Sequence, residues 1–89
     1  MEFEWDERKA ELNLQKHGVS FEEVVAIWND SDLLIVPARH RSEKGFLAFG
    51  KAYISTYTLV HTERGNAMRI ISARLATEKE RRTYERYKR

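Results

Sequence analysis

The sequence predicts an α+β fold: two N-terminal helices, a four-stranded antiparallel sheet and a C-terminal helix. Two observations carry this prediction. Helix start and stop signals crowd into residues 1–30 and return only after Ala76, while residues 33–75 alternate short apolar, β-branched and aromatic runs with turn residues. The 89 residues contain no internal repeat and no Pro/Gly/Ser linker, so residues 1–89 form a single domain.

After a short extended "EFEW", Asp6 caps a first helix that carries Glu7 in its opening turn and ends at "KHG", where Gly18 suits the left-handed position. Ala10, Asn13, Leu14 and His17 fall at i, i+3, i+4 and i+7, which gives this helix a half-polar inward stripe. "SFEE" is a capping box, Ser20 with Glu23, and opens a second helix through Val24, Val25, Ile27 and Trp28 that stops at "NDSD". From Leu33 the period changes. "LLIVPA", "GFLAFG" and "KAYISTYTLVHT" read as three strands, and "AMRIISARLA", after the turn "TERGN", as a fourth that pairs with the third. Alternation sets Tyr53, Ser55, Tyr57, Leu59 and His61 on one face and Ile54, Thr56, Thr58, Val60 and Thr62 on the other. Thr77 and Glu80 form a second capping box, which begins a terminal helix with few apolar residues.

Charge narrows the function. Lys and Arg against Asp and Glu number 3 to 8 in residues 1–30, 4 to 3 in 31–63 and 9 to 3 in 64–89, for nets of −5, +1 and +6. A basic C-terminal third fits a polyanion, or else a solvated helix face balanced by the acidic N-terminal segment. Without cysteine there is no disulfide, thiolate metal site or thiol nucleophile. The acidic start "MEFEWDERKAELN" lacks the pattern of a secretory signal, and no apolar run has the length of a membrane span, so the expected location is the cytoplasm.

His17, His40 and His61 fall in different elements without the i, i+4 spacing of a helical metal motif, so neither a metal site nor any other cofactor is expected. No Gly-x-Ser-x-Gly elbow offers a serine nucleophile. Arg64, Arg69, Arg74, Arg81, Arg82 and Arg86 supply guanidinium forks suited to phosphate. Tyr53, Tyr57, Tyr84 and Tyr87 offer stacking surfaces for unpaired bases. Arg82 with Glu78 and Arg89 with Glu85 stand at i, i+4, ordinary exposed helix pairs, and Arg86 reads with them as solvated surface. Arg69 and Arg74, inside or at the end of an apolar strand, share a face only if a bulge or the strand end reorients one of them. His17 is either an acid–base group or a cap on helix carbonyls, and His61, beside the basic turn, is equally open.

Three motifs, "F-x-W-D", "N-x-x-K-H-G-V-S-F" and "R-I-I-S-A-R-x-A-x-x-x-E-R-x-x-Y", make the chain resemble the BrnT family of small ribonuclease toxins from bacterial type II toxin–antitoxin systems. The middle, "DLLIVPARHRSEKGFLAFGKAYIST", is only loosely similar. The resemblance implies a RelE-like fold and metal-independent cleavage of RNA. It also implies a BrnA-type antitoxin partner, whose dimeric ribbon-helix-helix domain binds operator DNA. By motif position it makes Arg69, Arg74, Glu80, Arg81 and Tyr84 the catalytic candidates, with Lys16 and His17 as a second group. Tyr57, His61 and Arg64 join that second group as RNA-binding candidates from the reading of the residues. A non-catalytic nucleic-acid-binding module, or an interaction subunit whose basic face exists only for an acidic partner, would use the same charges.

Overall fold

A computed structural model describes residues 2–38 and 45–88. The predicted strand segments do form a sheet, but it has five strands and is mixed. In chain order the elements are β1 (Glu2–Glu4), α1 (Glu7–His17), α2 (Phe21–Val24), a 3₁₀ helix (Val25–Asn29), β2 (Leu34–Pro37), β3 (Phe46–Ala52), β4 (Ser55–Arg64), β5 (Ala67–Leu75) and α3 (Glu78–Tyr87). The sheet order is β1-β5-β4-β3-β2. The expectation of four antiparallel strands is corrected by β1, which pairs parallel with β5 through Phe3 and Met68. Three residues carry no period of their own, and β1 is a strand only because the edge of β5 accepts it.

The caps explain where the helices begin. Asp6 accepts from the backbone N–H groups of Arg8 and Lys9, and Gly18 takes φ 75° after the last turn of α1. Both capping boxes close reciprocally, Ser20 with Glu23 and Thr77 with Glu80. The second helix is shorter than the sequence suggests. A single α-turn tightens into 3₁₀ geometry from Val25 onward, so that Ile27 enters the core while Trp28 lies against its edge.

The predicted third strand is also redrawn. Lys51 and Ala52 finish β3, and Tyr53 and Ile54 form a two-residue turn in which Tyr53 has φ 58°. From Ser55 on, the alternation holds. Tyr57, Leu59 and His61 face the helices, while Thr58, Val60 and Thr62 face the other side. Gly50 is required where β3 passes the 3₁₀ helix, since a Cβ there would stand 2.9 Å from the Ile27 Cβ. The core lies between the sheet and the α1–α2 layer, around Phe21, Val24, Ile27, Ala48, Leu59, Ile70 and Ala73. Each large apolar side chain buried there contributes about 1.5–3 kcal/mol.

Leu14 departs from its predicted inward place and is exposed, whereas Asn13 is buried. The Asn13 amide satisfies β5 where β1 has ended, and a leucine at that position could not.

Candidate functional site

One irregularity in β5 decides which cations meet. Val60 pairs with Ser72 and His61 with Ile70, which leaves Ile71 as an extra residue in a β-bulge. Arg69, opposite Thr62, and Arg74, opposite Thr58, therefore stand on the same face of the sheet despite their odd separation. It is the face that α1 and α2 leave uncovered.

At the β3–β4 hairpin end of that face lies α3. Tyr84, 2% exposed, donates its hydroxyl to the Asp30 carboxylate at 2.6 Å, and the same carboxylate accepts the Lys51 backbone N–H at 2.8 Å. Burial would raise the Asp30 pKa, but the bonds from Tyr84, Lys51 and Asp32 outweigh it and hold the group below its usual value. Burial and the bond to Asp30 push ionisation of the Tyr84 hydroxyl upward, so Tyr84 is a neutral donor tying α3 to the 3₁₀ helix and β3.

Beyond α3 the uncovered face is an open groove of about 1060 Å³. Val36, Leu47, Val60 and Ile71 contribute an aliphatic floor, and Arg74, Thr77, Lys79, Glu80 and Thr83 one wall. Arg74 is clamped by Glu80 through two bonds, Nη1 to Oε1 at 2.7 Å and Nη2 to Oε2 at 3.0 Å. Glu80 also accepts from the Thr58 hydroxyl at 2.8 Å and the Thr77 N–H at 2.9 Å. Burial of Glu80 works against its charge, yet these donors prevail and bring its pKa down to about 2. Glu80 is thus an ionised carboxylate that orients a guanidinium, and Arg74, held by it, is raised further above its usual value. Of the five Arg74 N–H donors, the clamp leaves Nε–H and the outer Nη2–H without a partner among the described residues.

The other sequence candidates are dispersed. Arg69 shares the face but does not line the groove, and its Nη1 pairs with Glu4 at 3.0 Å. Arg81 is exposed and, at about 100° of helix rotation from Glu80, turns away from the groove. Arg64 is exposed at the end of β4, beside the Gly65–Asn66 turn. Lys16 and His17 end α1 on the helical side and make no side-chain hydrogen bond or ion pair among the described residues. Tyr57 and His61 are buried beneath the helices, which corrects their reading as RNA contacts. His61 stacks on Phe46 at 5.5 Å and meets the edge of Trp28 at 5.4 Å, with neither ring nitrogen partnered among the described residues, and desolvation lowers its pKa to about 4.

None of the four tyrosines lines the groove, so the proposed stacking surfaces are absent from it. Arg82 and Glu78 form the expected exposed pair at 3.6 Å. His40 and Arg89 lie outside the described residues. Lys79 is the groove cation that the sequence reading missed. Its i, i+4 relation to Thr83, on the helix face beside Glu80, was the available signal. Among the described residues no three His, Asp or Glu side chains converge, and no helix is long and apolar enough to cross a membrane.

A family model described as "Ribonuclease toxin, BrnT, of type II toxin-antitoxin system" matches residues 5–80. Curated protein sequences contain no match to the chain.

Proposed function

The chain belongs to the BrnT family of ribonuclease toxins of type II toxin–antitoxin systems, and from that membership we propose that it is a metal-independent endoribonuclease whose phosphate-binding centre is the Arg74 wall of the groove. The observation that carries this reading is the Glu80 clamp, which fixes a guanidinium at an open concave surface with two donors left over. RNA supplies its own nucleophile. The ribose 2′-OH passes its proton to solvent water in the open groove and attacks the adjacent phosphorus, the new O2′–P bond forms as the P–O5′ bond breaks, and the 5′-oxygen takes up a proton from water. A 2′,3′-cyclic phosphate and a 5′-hydroxyl result.

Arg74 and Lys79 hold the phosphate oxygens as charge builds on them, and a preformed orientation lowers the barrier without any metal. Glu80 is a positioning residue, because both its oxygens hold Arg74 and its Oε1 also accepts from Thr58 and Thr77, and these donors make the carboxylate a weak base. Tyr84 positions α3 through Asp30. Arg69 and Arg81 add positive potential nearby rather than direct contact. In the cell the protein acts in the cytoplasm and is neutralised by a BrnA-type ribbon-helix-helix antitoxin, and the complex reaches operator DNA through the antitoxin.

The test is incubation of the purified protein with single-stranded RNA in EDTA. Cleavage is expected, and it should be lost in Arg74→Ala with the fold retained. RNA that is bound but remains intact would instead identify a binding module.

A further inference from the structure

Thr58 places a hydroxyl in the interior of the sheet where a methyl group would pack as well. It is 0% exposed, stands directly opposite Arg74 in the β4–β5 register and donates its Oγ1–H to Glu80 Oε1 at 2.8 Å. The same oxygen accepts the Thr77 N–H at 2.9 Å and Arg74 Nη1 at 2.7 Å, whereas Oε2 accepts Arg74 Nη2 at 3.0 Å. These donors are not equivalent. Thr77 belongs to the cap of α3 and moves with Glu80, and Arg74 is the group being placed. Thr58 is therefore the donor that refers the carboxylate to the sheet. Held at Oε1 from strand and from cap, the carboxylate cannot turn about its Cγ–Cδ bond without breaking one of the two bonds.

That orientation decides which edge of Arg74 is left over. In a planar guanidinium Nη1 lies on the side of Cδ, so Nε–H and the outer Nη2–H point the same way and make a second fork beside the one at the end. Glu80 takes the end fork, and the outer Nη1–H is directed at the Leu75 carbonyl, 3.5 Å away. Among the described residues the Nε–Nη2 edge stays open, and its parallel donors match two oxygens of one phosphate. A Glu80 carboxylate released from Thr58 could turn onto that edge and compete with the phosphate for it.

We propose that Thr58 is a positioning residue for RNA cleavage: by fixing Glu80 against the sheet it keeps the carboxylate on the Nη1–Nη2 end of Arg74 and reserves the Nε–Nη2 edge for the scissile phosphate. This rests on the ribonuclease reading and adds how the phosphate is held and what sets the geometry. Thr58 touches no substrate and acts through two side chains in series.

The substitution that isolates the hydroxyl is Thr58→Val, which keeps shape and charge, with Thr58→Ser as the variant that restores the donor. Single-turnover cleavage should fall by about 10–10²-fold in Thr58→Val, the scale of a misplaced catalytic group, and return within about threefold of wild type in Thr58→Ser. The Kd for a 2′-deoxy oligonucleotide, which lacks the nucleophile, should stay within about threefold, because affinity for the backbone follows charge. In an Arg74→Ala background Thr58→Val should have no further effect on the rate, since the two act as one unit. Circular dichroism checks the fold of each variant. A reading without cleavage comes from the Arg74 Nε–H resonance, which the 2′-deoxy oligonucleotide should shift in wild type and Thr58→Ser and leave unmoved in Thr58→Val.

The proposal is overturned if Thr58→Val cleaves at the wild-type rate, if Thr58→Ser is no faster than Thr58→Val, if Thr58→Val slows Arg74→Ala further, or if the wild-type Nε–H resonance does not respond. Failure of the wild-type chain to cleave RNA would overturn the ribonuclease reading, whereas the resonance measurement decides the choice of edge independently of cleavage.

Discussion

The side chain of Asn13 behaves as a length of β-strand towards Ala73. Its Nδ2 donates to the Ala73 carbonyl at 2.8 Å, and its Oδ1 accepts the Ala73 N–H at 3.1 Å. β1 has ended four residues earlier, at Arg69, so α1 supplies from a side chain the pairing that β5 would otherwise lack. Replacement by alanine strands both groups in the interior, together with the Val19 carbonyl that Nδ2 also reaches at 3.3 Å. Asn13→Ala is therefore expected to destabilise the fold by about 2–3 kcal/mol. Urea unfolding followed by circular dichroism measures it, and a loss below about 0.5 kcal/mol, the lower bound for one net hydrogen bond, would contradict the pairing.

Two acid transitions should separate on a plot of stability against pH. His61 has its pKa lowered to about 4 by desolvation from a usual value of 6.5, so the unfolded chain binds the proton first and stability falls between those values as pH drops. Glu80 has its pKa lowered to about 2 from 4.5, so its contribution is complete above pH 4.5 and is lost as pH falls towards 2. Each transition is expected to be worth on the order of 2–3 kcal/mol. His61→Phe should flatten the upper limb alone, and Glu80→Gln the lower limb alone. A single limb unaffected by either substitution would show that other groups dominate.

The two strand arginines should differ in their effect on catalysis. Arg74→Ala is expected to reduce RNA cleavage by about 10²–10³-fold, the usual loss for a charge-stabilising donor, with Arg74→Lys recovering little because the bidentate clamp needs a planar fork. Arg69→Ala removes a partly exposed pair with Glu4, which is worth only about 0–1 kcal/mol of stability, and should leave cleavage within about tenfold of wild type. Single-turnover rates at saturating enzyme discriminate these outcomes, and equal losses would place Arg69 in contact with substrate.

Tyr53 is expected to be a stabilising site. Its φ of 58° lies in the left-handed region, and its side chain is 74% exposed, so little packing offsets the strain. Tyr53→Gly should raise stability by about 0.5–1 kcal/mol, the left-handed penalty less the added freedom of glycine in the unfolded chain. A decrease in thermal midpoint would mean that the tyrosine ring is held by contacts worth more than the strain.

What could be read in the sequence was local. Asp6, Gly18 and the Ser20–Glu23 and Thr77–Glu80 boxes act within a few residues of chain, and each was found where its spacing placed it. The β1–β5 pairing joins residues more than sixty positions apart, and nothing in "EFE" announces it. The Tyr53–Ile54 turn was hidden because it contains neither Gly nor Asn, the residues that mark a tight hairpin. Alternation sorted Tyr57 and His61 from Thr58 and Val60 correctly but could not say which set the helices would cover. At the site, the strand motif pointed to Arg74 and the cap to Glu80, and their mutual clamp appears only once α3 folds back on the sheet.

The bulge at Ile71 acts on the chain as a parity change. A strand assigns its residues to core or solvent by odd and even, and here Met68 and Ile70 follow one assignment while Ala73 and Arg74 follow the other. Deletion of a single residue at this point would join the two halves in one phase and exchange faces for one of them. Either Ala73 would leave the core and Arg74 enter it, or Met68 and Ile70 would surface while Arg69 turned inward. Chain length between Arg69 and Arg74 is therefore a stricter constraint than the identity of Ile71, whose side chain can be varied while the count of residues cannot.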